Sequence, residues 1–166
     1  GYERYRVTSL DPWGLTVCGE GPWKDRIAKV PGVNYCGFIQ PNQLPDLWAR
    51  SGVFVLASNY DPWPLVLVEA CAAGLAIVHT EACGSAVELV RQYYNGLAVA
   101  TGTSEELARA LRWIHLHPET LPLFGERSRA LARGYSAESW AGRWSEWLSE
   151  LMAEDAEDCH RKGASI

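Results

Sequence analysis

The chain has 166 residues, 48% of them hydrophobic, with a formal net charge of -5 and a pI near 5.4. That is enough apolar material for one domain with a real core, too little length for two of ordinary size, and the wrong composition for a disordered chain. No Lys/Arg cluster offsets the acidity, which argues against nucleic acid as a partner.

Five cysteines (Cys18, Cys36, Cys71, Cys83 and Cys159) are dispersed, without a C-x-x-C pair. They read as reduced, mostly buried thiols of a cytoplasmic protein, and no metal site is expected. No apolar run approaches the roughly 18–20 residues of a membrane span, and Gly1 to Leu10 carries charges instead of a signal peptide's apolar stretch. Contact with a membrane surface is compatible with this composition.

In chain order, strand-like and helix-like segments alternate. Leu15 to Cys18 is a short apolar β-type run ended by Gly19-Glu20-Gly21-Pro22, and Lys24 to Lys29 can form a helical turn or two. Val33 to Cys36 is a second strand, closed by Gly37. Leu44, Leu47 and Trp48 recur at helical spacing. Val53 to Ala57 is a continuous apolar run, as expected for a strand buried on both faces. Pro64 suits the first turn of a helix that stops at Gly74. Leu75 to His79 and Leu97 to Ala100 are further strands, separated by a short helix over Ser85 to Gln92 and an Asn95-Gly96 turn. Thr103-Ser104-Glu105-Glu106 fits a capping box. Ser136 can cap a last long helix with Trp140, Trp144, Trp147 and Leu151 on one side. The expected organisation is a domain over residues 1–154 and a polar, frayed tail over 155–166.

This order implies an α/β fold: a Rossmann-like parallel sheet with helices on both faces. Ligands then bind outside the carboxyl ends of the strands, so the loops after Cys18, Cys36, Ala57 and Thr80 should share one rim. Two of those loops carry glycine, Gly19-Glu20-Gly21 and Cys83-Gly84-Ser85, which lets backbone amides approach an anion. The run from Ser58 to Ala70 is more specific. Asp61 lies just before a helix start, Glu69 lies eight residues on, and amides lie between them. Carboxylates can accept hydrogen bonds from sugar hydroxyls while helix-terminal amides face a diphosphate.

This run resembles the acidic-x7-acidic motif of retaining GT-B glycosyltransferases, in particular glycosyltransferase family 4 ("group 1"). Ser58, Leu65, Glu69, Ala70, Ala72 and Gly74 match the pattern in register, and Asp61 matches in charge. Leu15 to Pro22, Val33 to Gly37, Val53 to Ser58, Gly84 with Glu88, and Asn95-Gly96-Leu97 are similar to further family stretches, in order, from Gly14 onward. The resemblance implies a nucleotide-sugar-binding domain, the C-terminal half of a GT-B fold. By position it gives Glu69 the ribose hydroxyls and Asp61 the hydroxyls of the transferred sugar, these two forming the catalytic pair. It puts Trp63, Pro64, Leu65 and Val66 near sugar and phosphate, Phe38 and Ile39 near the base, and Gly19 and Gly21 along the pocket. It implies retention of anomeric configuration, with neither metal nor cofactor and the nucleotide-diphospho-sugar as substrate. Polysaccharide biosynthesis fits the family's habit.

Three departures stand out: Asp61 in place of Glu, Trp63-Pro64 in place of Phe-Gly, and Ala76 in place of Pro. The residues before Gly14 are also too few for the family's first strand and its crossover helix. A missing first strand would be central. It predicts a rearrangement, a homodimer, a partner chain, or a strand made from Tyr5-Arg6-Val7, although Tyr2 to Ser9 reads better as the end of the crossover helix. The acceptor domain is expected to lie outside this chain, which alone should turn over little. The rival readings are a non-catalytic or degenerate sugar-nucleotide-binding module and another GT-B enzyme such as a nucleotide-sugar epimerase. Outside the motif, Glu88, His79, His115 and His117 read as structural.

Overall fold

The computed structural model describes residues 1–163, with side chains to 153. Residues Gly1–Ala132 form one compact unit, and a second begins at Arg133. In the first unit the elements run α1 (Tyr2–Thr8), β1 (Leu15–Cys18), α2 (Lys24–Ile27), β2 (Val33–Gly37), α3 (Leu44–Ala49), β3 (Val53–Leu56), α4 (Leu65–Ala73), β4 (Ala76–Thr80), α5 (Ala86–Leu89), β5 (Gly96–Val99), α6 (Ser104–Leu116) and α7 (Leu121–Ala132). The second unit holds α8 (Ala137–Gly163).

All strand pairs are parallel. They fall into two ladders, β1–β2 and β3–β4–β5. β4 is buried along its whole length, as a strand covered on both faces must be. Val78 packs with Leu97, Val99, Ala110 and Ile114, so α6 covers one face of this sheet. Trp48 of α3 meets Phe54 edge-on, with ring centroids 5.5 Å apart, from the opposite face. The expected Rossmann-like architecture is thus present.

β3 is only half-buried, contrary to the expectation for Val53 to Ala57. On one face, Val53 and Val55 of β3 open onto a cleft whose walls include Leu15 of β1, Tyr2 and Tyr5 of α1, and Leu111 and Ile114 of α6. No ladder joins β1 to β3 among the described residues. The N-terminal residues do not supply a strand there: Tyr5-Arg6-Val7 lies inside α1, as the helical alternative anticipated. Tyr5 is the buried anchor of that helix. Its hydroxyl accepts the Trp13 amide at 2.9 Å and pairs with His115 Nδ1 at 2.5 Å, and Trp13 stacks on His115.

Four local expectations need correction. The capping box at Thr103 does not form: Thr103 Oγ1 donates back to the Ala100 carbonyl, and the Glu106 carboxylate accepts the Ala100 amide at 2.7 Å. The side chains instead brace the turn that delivers β5 into α6. The helix expected from Ser85 to Gln92 is confined to Ala86–Leu89, because the Asn95 side-chain carbonyl takes the Arg91 amide and turns the chain. Pro64 caps α4 from outside its first turn. Cys18 and Cys36 are exposed, not buried; Cys71 and Cys83 are buried. Cys159 lies outside the described side chains.

α7 has no counterpart in the sequence reading. Its buried positions Phe124, Gly125, Ser128 and Ala132 form one stripe at helical spacing. Gly125 lets it close on the end of α4, since a Cβ there would stand 2.3 Å from the Gly74 carbonyl oxygen. Gly74 itself takes the left-handed conformation that ends α4 (φ 81°).

In the second unit Ser136 caps α8 as expected, its hydroxyl accepting the Ser139 amide at 3.1 Å. Along this helix Trp140 and Trp144 meet at a tilt and Trp144 and Trp147 meet in a T shape, with centroids 5.8 and 5.1 Å apart, and all three stay substantially exposed. α8 takes in the stretch expected to be a tail as far as Gly163; the last three residues of that expectation lie outside the described residues.

Candidate functional site

The carboxyl ends of the strands carry the loops that hold the expected site residues. The loop from β3 to α4 is the best defined of them. The Asp61 amide donates to the Ala82 carbonyl at 3.0 Å, and the Gly84 amide donates to the Asp61 carbonyl at 2.9 Å. These two bonds make a parallel bridge between Asp61 and Cys83, so the β3–α4 and β4–α5 loops are sewn together where they leave the sheet. Ser85 Oγ, fully buried, adds a bond to the Pro64 carbonyl at 3.2 Å. The Asp61 side chain is half-buried at this seam.

α4 starts without a side-chain cap. Pro64 fixes φ at -65° before the first turn and has no N–H of its own. Its carbonyl takes the Leu67 amide, and the amides of Leu65 and Val66 meet no acceptor among the described residues. These two donors sit at the positive end of the helix dipole, where an anion is favoured. Leu65 is 67% exposed, and Glu69, one turn later on the same stripe, is exposed too. Glu69 makes no ion pair among the described residues. The opposite side of α4 (Leu67, Ala70, Cys71) is buried. Core packing thus fixes which side of the helix faces out, and that side carries Glu69.

β1 and β2 deliver the glycine-bearing loops. The Gly19 amide donates to the Gly37 carbonyl at 2.7 Å, and the Tyr35 hydroxyl donates to the Gly19 carbonyl at 2.6 Å. Gly19 and Gly37 both have positive φ, 116° and 65°. Beyond Gly37, Phe38 is exposed and Ile39 half-buried. Gly21 is exposed, and its carbonyl accepts the Lys24 amide as α2 begins. Asp61, Trp63, Pro64, Leu65 and Val66 lie on one loop and helix start, with Glu69 one turn further on. Gly19, Gly21, Phe38 and Ile39 lie at the ends of the other ladder.

His79, His115 and His117 are engaged by neighbouring groups of the fold. His79 is 7% exposed in β4, with its Nδ1–H donating to the Thr80 carbonyl at 2.9 Å. Burial lowers its pKa below 6.5, with partial opposition from that bond and from Glu81, so it is held neutral. His117 bonds the Trp113 carbonyl at 2.7 Å and stacks on the Trp113 ring. Among the described residues no three His, Cys, Asp or Glu side chains group as metal ligands would, and no helix is long and apolar enough to cross a membrane.

Sequence reasoning missed Ser128 and the buried roles of Ser85 and Asn95. The Asn95 amide donates to the Leu89 carbonyl and to Ser128 Oγ, at 2.9 and 3.1 Å, and Ser128 donates to the Leu75 carbonyl at 2.8 Å. This chain of bonds holds the α5–β5 turn against α7. For Ser128 the signal in the sequence was a polar residue at a core position of an unrecognised helix.

Residues 3–131 match the family model described as glycosyl transferases group 1. Among curated proteins, the chain is 28% identical over 147 residues to an exopolysaccharide phosphotransferase of Streptomyces coelicolor, covering 85% of this chain and 16% of that protein. It is 23% identical over 153 residues to the alpha-galactosylglucosyldiacylglycerol synthase of Streptococcus pneumoniae, covering 92% of this chain and 35% of that protein. The chain therefore spans well under half the length of these relatives. Among solved structures, Anabaena HepE in complex with UDP superposes with a TM-score of 0.75 at 21% identity, over 90% of this chain and 44% of that one. The same protein in complex with UDP-glucose gives 0.73. These likenesses fit the Rossmann-like architecture of a GT-B glycosyltransferase half, and the match over residues 3–131 shows that this chain belongs to the glycosyl transferases group 1 family.

Proposed function

We propose that this domain binds a nucleotide-diphospho-sugar and serves retaining, metal-independent glycosyl transfer. The observation that carries this reading is the start of α4. Two amides without an acceptor among the described residues, Leu65 and Val66, lie between the anchored Asp61 and the exposed Glu69. A diphosphate suits the amides. Ribose hydroxyls suit Glu69, and hydroxyls of the transferred sugar suit Asp61. Trp63 and Pro64 line the sugar side. Gly19 and Gly21 line the pocket wall, and the backbone at Phe38 and Ile39 meets the base. The helix dipole contributes to stabilising the leaving diphosphate.

The acceptor is held by an N-terminal domain or by a partner chain, and the two substrates meet in the cleft between the domains. Assembly of a polysaccharide is the process in view, a reading supported by the exopolysaccharide relative. Pairing as a homodimer is a separate expectation, read by sedimentation.

The test is calorimetry with UDP, GDP and ADP and their sugars, with Glu69→Ala alongside. One diphosphate should bind, and that binding should vanish in the variant. No binding to well-folded protein would overturn the reading. It would favour instead a degenerate sugar-nucleotide module, for which Pro64 speaks because it removes an amide from the anion-facing end of α4.

A further inference from the structure

β1 and β2 alternate regularly between half-buried and exposed positions. The half-buried set is Leu15, Val17, Val33 and Tyr35. The exposed set is Thr16, Cys18, Asn34 and Cys36, so both thiols project from the same open face. The register brings them side by side. Val17 pairs with Tyr35, but Cys18 pairs with Gly37, so the ladder skips Cys36 and leaves it next to Cys18. Neighbouring strands run about 4.8 Å apart, inside the roughly 4.4–6.8 Å that a disulfide spans between Cα atoms. The Asn34 amide, on the same face, donates to Cys36 Sγ at 3.4 Å. Both cysteines are free and exposed.

We propose that Cys18 and Cys36 form a reversible cross-strand disulfide by exchange with a low-molecular-weight disulfide such as glutathione disulfide. Partial burial, then the neighbouring Cys36 thiol, raises the pKa of Cys18 and disfavours its thiolate; in the order proposed, Cys36 opens the exchange and Cys18 resolves it. Its thiolate attacks one sulfur of glutathione disulfide, a mixed disulfide forms on Cys36, and one glutathione leaves with the electron pair of the broken bond. Cys18 then gives up its proton and attacks the Cys36 sulfur. The Cys18–Cys36 bond forms and the second glutathione departs. The two cysteine protons end on the two glutathiones. The protein loses two electrons, and the oxidant is reduced by the same two.

The bridge would sit one residue before each of Gly19 and Gly37, whose backbones already meet at 2.7 Å. It would hold together the two loops that leave this ladder. The proposal stands apart from any nucleotide chemistry, and its test needs no ligand.

The full chain is incubated with glutathione disulfide, quenched in acid, and analysed by intact mass and by peptide mapping without reduction. The expected product has lost two hydrogens and carries one linked peptide pair containing Cys18 and Cys36, released by dithiothreitol. Cys18→Ser should stop at the mixed disulfide on Cys36, because the resolving thiol is gone. Cys71 and Cys83, being buried, should be alkylated only after denaturation. Three results would overturn the proposal: stable glutathione adducts on both residues, no modification, or a bridge from either cysteine to Cys159.

Discussion

Gly84 lies against Pro62 so closely that a Cβ on Gly84 would stand 2.0 Å from the Pro62 carbonyl oxygen. The contact joins the two loops that frame the start of α4, and backbone rather than a movable side chain would be struck. Gly84→Ala must therefore push the Asp61–Pro64 segment away from the β4–α5 loop. We expect a loss of about 1–3 kcal/mol in stability from such overpacking, together with weakened nucleotide-diphosphate binding. Urea denaturation and calorimetry on the same variant measure both. Unchanged stability would mean that the loops separate freely.

Glu69 gives the opposite pattern. It is exposed and makes no ion pair among the described residues. Glu69→Gln should change stability by no more than about 0.5 kcal/mol, as expected of a surface site without partners. Ligand affinity should fall about tenfold or more, the effect of losing one charge-assisted bond of about 1.5–3 kcal/mol. Equal losses in folding and binding would identify Glu69 as a structural residue.

Ser128→Ala tests the buried polar chain. The hydroxyl accepts from Asn95 and donates to the Leu75 carbonyl, and removing it orphans a donor and an acceptor in the core. A cost of roughly 1–3 kcal/mol follows, measured by chemical denaturation. Nucleotide binding should be retained, because Ser128 lies on α7 and not on the rim.

His79 sets an acid limit on stability. Its folded pKa is below 6.5, chiefly through burial, while an unfolded histidine titrates near its ordinary value. Between those two values the unfolded chain binds more protons than the folded one, so stability falls as pH drops through that window and flattens below it. His79→Gln should reduce the slope there. Urea midpoints at a series of pH values would show it, and an unchanged slope would assign the dependence to other groups.

Much of this molecule was legible in its sequence because burial is periodic. Leu75 to His79 is apolar enough to be read as a strand, and β4 covers Ala76–Thr80. The helical spacing of Leu107, Ala110, Leu111 and Ile114 gives α6, and Gly74 marks the end of α4. The Asp61–Glu69 segment was legible for a different reason: its spacing is fixed by one strand end and one helix turn. α7 was missed because its stripe contains glycine, serine and alanine, small residues chosen for close approach instead of hydrophobic weight. The capping box failed at Thr103 because Ala100 competes for both side chains. The exposure of Cys18 and Cys36 was hidden because nothing local announces that one face of a two-stranded ladder lies open.

The opening between β1 and β3 also sets an order of unfolding. β4 alone, among the described strands, has a bonded neighbour on each side. Its central amides, Ile77 to His79, should be the last to exchange with deuterium, on the timescale of global unfolding. The β1–β2 ladder borders the opening and should exchange through a smaller excursion that leaves β3–β5 intact. The protein would then breathe from that seam outward, with the glycine loops at Gly19 and Gly37 carried on the part that moves first.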